Sequence, residues 1–133
     1  MITVETTINA SIEKVWDYWT NTNHIVNWNN ASDDWYCPKA SNNLIVGGKF
    51  NFQMASKDGK ISFDFEGEYS KIEKFLIIEY SIIDGRKVNI NFKKEKNNII
   101  ITQSFEAENE NSEELQRNGW QNILDNFKKY TEQ

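Results

Sequence analysis

Four separate stretches of this chain alternate apolar and polar side chains with a period of two. Ile2, Val4, Thr6 and Ile8 share a face opposite Thr3, Glu5 and Thr7, and Phe50, Phe52 and Met54 oppose Lys49, Asn51 and Gln53. Ile61, Phe63 and Phe65 oppose Ser62, Asp64 and Glu66, while Val88, Ile90 and Phe92 oppose Lys87, Asn89 and Asn91. Successive side chains of a strand point to opposite faces, so such segments are strands with one wet and one dry face. One-sided strands belong in an antiparallel sheet; parallel sheets are buried on both faces and carry continuous apolar runs. The run FLIIEYSII, Phe75 to Ile83, is less cleanly sided and is expected to lie centrally or under a loop.

The turn residues fit this reading. KDGK at Lys57–Lys60 and DGRK at Asp84–Lys87 carry the Asp-Gly pair of tight hairpins. KNN at Lys96–Asn98 offers asparagines, which tolerate left-handed backbone angles, and predicts a third hairpin. Gly67 falls inside a strand pattern whose alternation slips between Tyr69 and Ile72, predicting a bulge or bend nearby. A meander from about residue 44 to 108, with the first strand added, gives six or seven strands.

Two helical patterns frame the strands. Ile12, Val15, Trp16 and Trp19 form one stripe, with a short second helix expected near Thr22–Val26. Near the C-terminus, Leu115, Gly119, Trp120, Ile123, Leu124, Phe127 and Tyr130 occupy about half a helix circumference. Asn111, followed three residues on by Glu114, predicts a capping box at its start. The expected fold is therefore α+β. Six strands about 4.8 Å apart span roughly 24 Å, whereas one helix is about 10–12 Å across. Either the sheet curls around the last helix and the N-terminal helices plug the remainder, or a cavity stays open.

Composition narrows the partners. At 133 residues, with no repeat or linker, residues 1–133 read as a single domain. The net charge of −5 and the scattered lysines argue against nucleic-acid or anionic-membrane binding. One cysteine excludes an internal disulfide and, with one histidine, leaves no cluster for a metal; no cofactor motif is present. VGGKF, at Val46–Phe50, lacks the spacing of a phosphate loop. No signal peptide or membrane-spanning run is evident, and a cytoplasmic location is expected.

Several stretches, in order, carry a family resemblance: TINASIEKVWDYWT, NHIVNW, LIVGGKFNFQM, FEGEYSKIE followed by a strand ending in Tyr80, and GWQNILDNF. Together they resemble the bacterial proteins similar to the C-terminal domain of the activator of Hsp90 ATPase. That family lies within the START-like (Bet v 1-like, SRPBCC) helix-grip superfamily. The resemblance implies a curved antiparallel sheet gripping a long C-terminal helix, with a hydrophobic cavity between them. It implies cavity ligands of several kinds across the superfamily, and catalysis in only some branches.

The stretch HIVNWNNASDDWYCP, His24 to Pro38, holds the only histidine, cysteine and proline. As an active site it would use His24 as base and Cys37 as nucleophile, oriented by Asp33 or Asp34, but no flanking motif supports a nucleophile. As a cavity rim, Trp28 and Trp35 would offer apolar faces with an indole N–H, or they would simply plug the open end of the sheet. Gln103 shares parity with Ile99, Ile101 and Phe105, which puts an amide on the dry face, where it would bond Tyr80, Trp120, a water or a ligand. Gly119 in the helical stripe signals close helix–sheet packing or room for a ligand. The leading expectation is a binder of a small hydrophobic or aromatic ligand. Its contacts are Phe50, Phe52, Phe63, Phe65, Tyr80, Gln103, Trp120 and Leu124, with Trp28 and Trp35 at the mouth. The alternative is a co-chaperone-type module whose partner is a chaperone; a cyclase- or hydrolase-like enzyme stands third.

Overall fold

The computed structural model describes residues 1–133. Strand β1 (Ile2–Ile8) leads into helices α1 (Ile12–Thr20) and α2 (Thr22–Trp28). A run of six strands follows: β2 (Trp35–Asn42), β3 (Lys49–Ser56), β4 (Ser62–Glu73), β5 (Ile77–Ile82), β6 (Lys87–Glu95) and β7 (Asn98–Phe105). Helix α3 (Glu113–Thr131) closes the chain. All seven strands form one antiparallel sheet in the order β1-β7-β6-β5-β4-β3-β2. This is the α+β helix-grip arrangement, a curled half-barrel around α3.

The alternation of β1 is realised residue by residue, with Ile2, Val4, Thr6 and Ile8 buried and their neighbours exposed. Gly59 and Gly85 take the left-handed angles that their Asp-Gly turns require, φ +78° and +96°. In the β6–β7 hairpin the left-handed residue is Lys96, φ +56°, and not an asparagine. The slip after Gly67 is a bulge in which Tyr69 and Lys71 face Tyr80 and Glu79, leaving Ser70 over.

Strand β2 departs from expectation. The meander, expected to start near residue 44, starts at Trp35, where β2 pairs with β3. Between Tyr36 and Lys39 the register shifts, so that Cys37 and Pro38 together oppose Met54. Pro38 has no N–H to donate, which the outer edge of the sheet tolerates. Bulges bend and twist a strand, and those in β2 and β4 favour the curl of this half of the sheet.

Consecutive in sequence, β1 and β2 lie at opposite edges of the sheet, and α1 and α2 span the distance between them. Ser11 caps α1 by accepting from the Lys14 N–H at 3.2 Å, and Asn21 both ends α1 and caps α2. Helix α2 runs two residues beyond the expected Val26, so Trp28 sits on a helix. The cap of α3 is Ser112 rather than Asn111; its hydroxyl accepts from the Leu115 N–H at 3.1 Å, so Glu114 completes no capping box. On α3, Leu124, Phe127 and Thr131 are fully buried, whereas Leu115 is exposed. Leu124 and Phe127 share one core cluster with Ile8, Val88, Ile99, Ile101 and Phe105 of the sheet. No helix is long and apolar enough to cross a membrane.

Candidate functional site

The dry face of the sheet is wider than α3 covers. Between them lies a recess of about 270 Å³, 13 of whose 16 lining residues are hydrophobic. Parity along each strand decides which side chains reach it. Phe50, Phe52 and Met54 come from β3, Phe63, Phe65 and Tyr69 from β4, Ile78 and Tyr80 from β5, Ile90 from β6 and Gln103 from β7. Trp120 and Ile123 of α3, Trp19 of α1, and Trp28 and Asn29 at the end of α2 supply the opposite wall. Arg86, on the β5–β6 turn, also lines it.

The aromatic wall is held by contacts between its own rings. Phe50 lies 4.9 Å from Phe52 and 4.8 Å from Tyr80, and Phe65 meets Trp120 edge-on at 6.0 Å. Trp120 is in turn stacked on Phe105 at 4.0 Å. Gly67 makes this possible. A Cβ there would sit 2.6 Å from the Phe50 ring and 2.7 Å from the Ser81 carbonyl oxygen, so only glycine lets the ring lie on the strand. Gly119 is different: a Cβ built on it meets nothing within 4 Å. Close helix–sheet packing is therefore not why this glycine stands in the stripe; the space beside it is open.

Eight of the ten candidate contact residues line the recess: Trp28, Phe50, Phe52, Phe63, Phe65, Tyr80, Gln103 and Trp120. Two do not. Leu124 is sealed in the core, because the centre of the helical stripe faces the sheet squarely and the recess lies at its margin, where Ile123 is. Trp35 packs against Phe63 at 5.9 Å on the first residue of β2, outside the recess. The indole N–H of Trp28 is engaged internally, donating to the Tyr18 carbonyl at 2.9 Å. Trp28 therefore presents its ring and not its donor.

The polar groups on the wall fall into two sets. Tyr69 donates its hydroxyl to Asn42 Oδ1 at 2.7 Å, and Asn42 donates to the Thr20 carbonyl at 2.9 Å, tying β4 and β2 to α1. Tyr80 and Gln103 have no such partner. Burial drives the Tyr80 phenol far above its usual range, the neighbouring Tyr69 adds to the shift, and the Arg86 charge opposes it. The hydroxyl stays neutral and no protein group bonds it. Gln103 is 7% exposed and its amide finds neither Tyr80 nor Trp120. The only sealed side-chain polar atom without a partner is Thr131 Oγ1, so the Gln103 amide borders open space in the recess.

His24 and Cys37 belong to different surroundings. The His24 ring stacks on Tyr18 at 3.9 Å, its Nδ1 lies 2.7 Å from the Tyr130 hydroxyl, and its Nε2 lies 3.6 Å from Asp17. Cys37 is buried, its thiol directed to the Lys39 carbonyl, and burial pushes its pKa up. A thiol held protonated and away from a base is a poor nucleophile. Asp34 accepts from Ser32 and orients no histidine. The structure also contains no cluster of side chains suited to hold a metal ion.

Seven curled strands, two bridging helices and a C-terminal helix over a partly open dry face define a START-like, Bet v 1-like domain. Within that superfamily the chain belongs to the activator of Hsp90 ATPase homolog 1-like family, whose profile matches residues 9–132. It is similar to the AHSA1-like protein of Aeromonas hydrophila, with 37% identity over 97% of this chain and 91% of that one, at a TM-score of 0.89. A protein of Cytophaga hutchinsonii is 50% identical over 98% of this chain and 91% of its own, at a TM-score of 0.86. A Chromobacterium violaceum protein with only 18% identity, covering 99% of this chain and 96% of its own, shares the fold at a TM-score of 0.84. No protein of curated function matches the sequence.

Proposed function

We propose that this protein binds a small aromatic or otherwise apolar molecule in the recess between the sheet and α3. One observation carries the reading: two buried polar groups, the Tyr80 hydroxyl and the Gln103 amide, border an apolar recess and have no partner in the protein. Neither polar atom is sealed off, so each is open to a hydrogen-bonding partner that enters the recess. A ligand with one hydrogen-bonding group would satisfy either. The volume, about 270 Å³, sits at the lower edge of the range of small-molecule sites and suits a molecule of one or two rings.

The test is a fragment series of one- and two-ring aromatics, followed by amide-resolved NMR. Binding in the recess shifts the amides of Ile78, Ile90 and Gln103 together and quenches tryptophan emission, since Trp19, Trp28 and Trp120 all line it. Ile123→Trp, which fills the recess from the helix side, abolishes both signals while leaving the fold intact. Shifts confined to the outer face of the sheet, or unchanged in Ile123→Trp, refute the proposal.

A further inference from the structure

The recess has one charged lining residue, and it is a cation. Arg86 follows the Asp-Gly turn between β5 and β6 and shares parity with Val88 and Ile90, so its side chain projects onto the dry face. The side chain is only 24% exposed. Asp84 fixes it from behind: one carboxylate oxygen accepts from the Arg86 backbone N–H at 3.0 Å and the other from Nε at 2.8 Å. That clamp occupies the inner edge of the guanidinium. The two Nη groups, the pair that matches the two oxygens of a carboxylate, make no bond within the protein. No acidic side chain lines the recess to compete for them.

An arginine three-quarters buried on the wall of an apolar recess, held by a carboxylate on one edge and unengaged on the other, is suited to receive an anion. Its field reaches the wall, because its charge opposes the rise of the Tyr80 pKa. We infer that the occupant of the recess is an aromatic or apolar carboxylate, its body among Phe50, Phe65, Ile90 and Trp120 and its acid group on the Nη edge of Arg86. The inference rests on the binding proposal above and specifies the ligand class. Tyr80 and Gln103 then meet any second polar substituent, and Arg86 sets the orientation in which the molecule enters.

The test compares naphthoate with naphthamide, a neutral molecule of nearly the same shape, by calorimetric or fluorescence titration at neutral pH. A charge-assisted bond to arginine predicts that naphthoate binds about tenfold more tightly than naphthamide. Arg86→Gln should erase that preference, and a thermal melt and tryptophan emission spectrum matching the wild-type protein show that the variant's recess is intact. If the wild-type protein binds naphthamide as well as naphthoate, or Arg86→Gln keeps the preference, the carboxylate inference is wrong and the binding proposal stands. Loss of both ligands in Arg86→Gln alone would make Arg86 structural and also overturn the inference. If the wild-type protein binds neither, the binding proposal fails and the inference falls with it.

Discussion

Gln103→Leu separates what the amide does for the fold from what it does for a ligand. In β7, Gln103 lies between Val4 of β1 and Ile90 of β6, both buried. Leucine fits that apolar setting, keeps most of the volume, and strands no protein group, since the amide bonds none. An unpaired buried amide is unfavourable by about 1–3 kcal/mol, partly relieved here by the open recess, so the variant should be between unchanged and about 1 kcal/mol more stable. A ligand that bonds the amide loses one neutral hydrogen bond, about 0.5–1.5 kcal/mol, or a two- to twelvefold weaker affinity. Urea melts of both proteins, with and without a saturating aromatic ligand, read the two quantities separately. A loss of about 2 kcal/mol in the unliganded protein would mean that Gln103 has an internal partner, and the reasoning that places it at a ligand site would be refuted.

Gly67→Ala should destabilise by about 1–3 kcal/mol, because its Cβ meets the Phe50 ring and the Ser81 carbonyl well inside contact distance. Adding Phe50→Leu should recover part of that loss, and strictly additive melts would show that the two residues do not touch. Thr131→Val should stabilise by about 1 kcal/mol, since the Thr131 hydroxyl is sealed without a partner; a thermal melt showing a loss would contradict this. Burial holds the Tyr69 and Tyr80 phenols protonated above the ordinary value of 10.0. Their contribution to stability is therefore complete below about pH 10 and declines as the pH rises beyond it, because only the unfolded chain releases those protons. Phenolate absorbance should show two of the five tyrosines ionising only with unfolding, and five ordinary titrations in a folded protein would refute it.

The strands that could be read from the sequence were those whose alternation is unbroken and whose turns carry Asp-Gly, because both signals arise within a few residues of chain. Strand β2 was legible only at Pro38, which suggests an edge strand or a turn, because the bulge at Cys37 interrupts the period until β3 lies beside it. The cap of α3 was displaced by one residue, since Asn111 and Ser112 are both able to cap and only the loop geometry selects between them. Phe50, Phe52 and Gln103 were legible from parity alone, whereas Tyr80 lies in a run without clean sidedness and was marked by the family resemblance. Leu124 was misplaced because neighbouring helical residues differ by about 100° in direction, and periodicity does not show which margin of a stripe the recess occupies. Arg86 and Asn29 were missed because both lie just outside an element, Arg86 before β6 and Asn29 after α2. The parity of Val88 and Ile90, carried two residues back into the turn, would have found Arg86.

The strand order also sets a sequence of events in time. Every pairing from β2 to β7 joins strands adjacent along the chain, and each can form as a local hairpin at small entropic expense. β1 alone must come from far away, bringing Ile2 against Phe105. Contacts so remote in sequence slow folding, and the expected order is a six-strand meander that assembles first and waits for the N-terminal segment to dock. That segment also delivers α1 and α2, and with them Trp19 and Trp28. The wall opposite the sheet is therefore completed last, and hydrogen exchange should find β1 opening more readily than the β4–β6 centre.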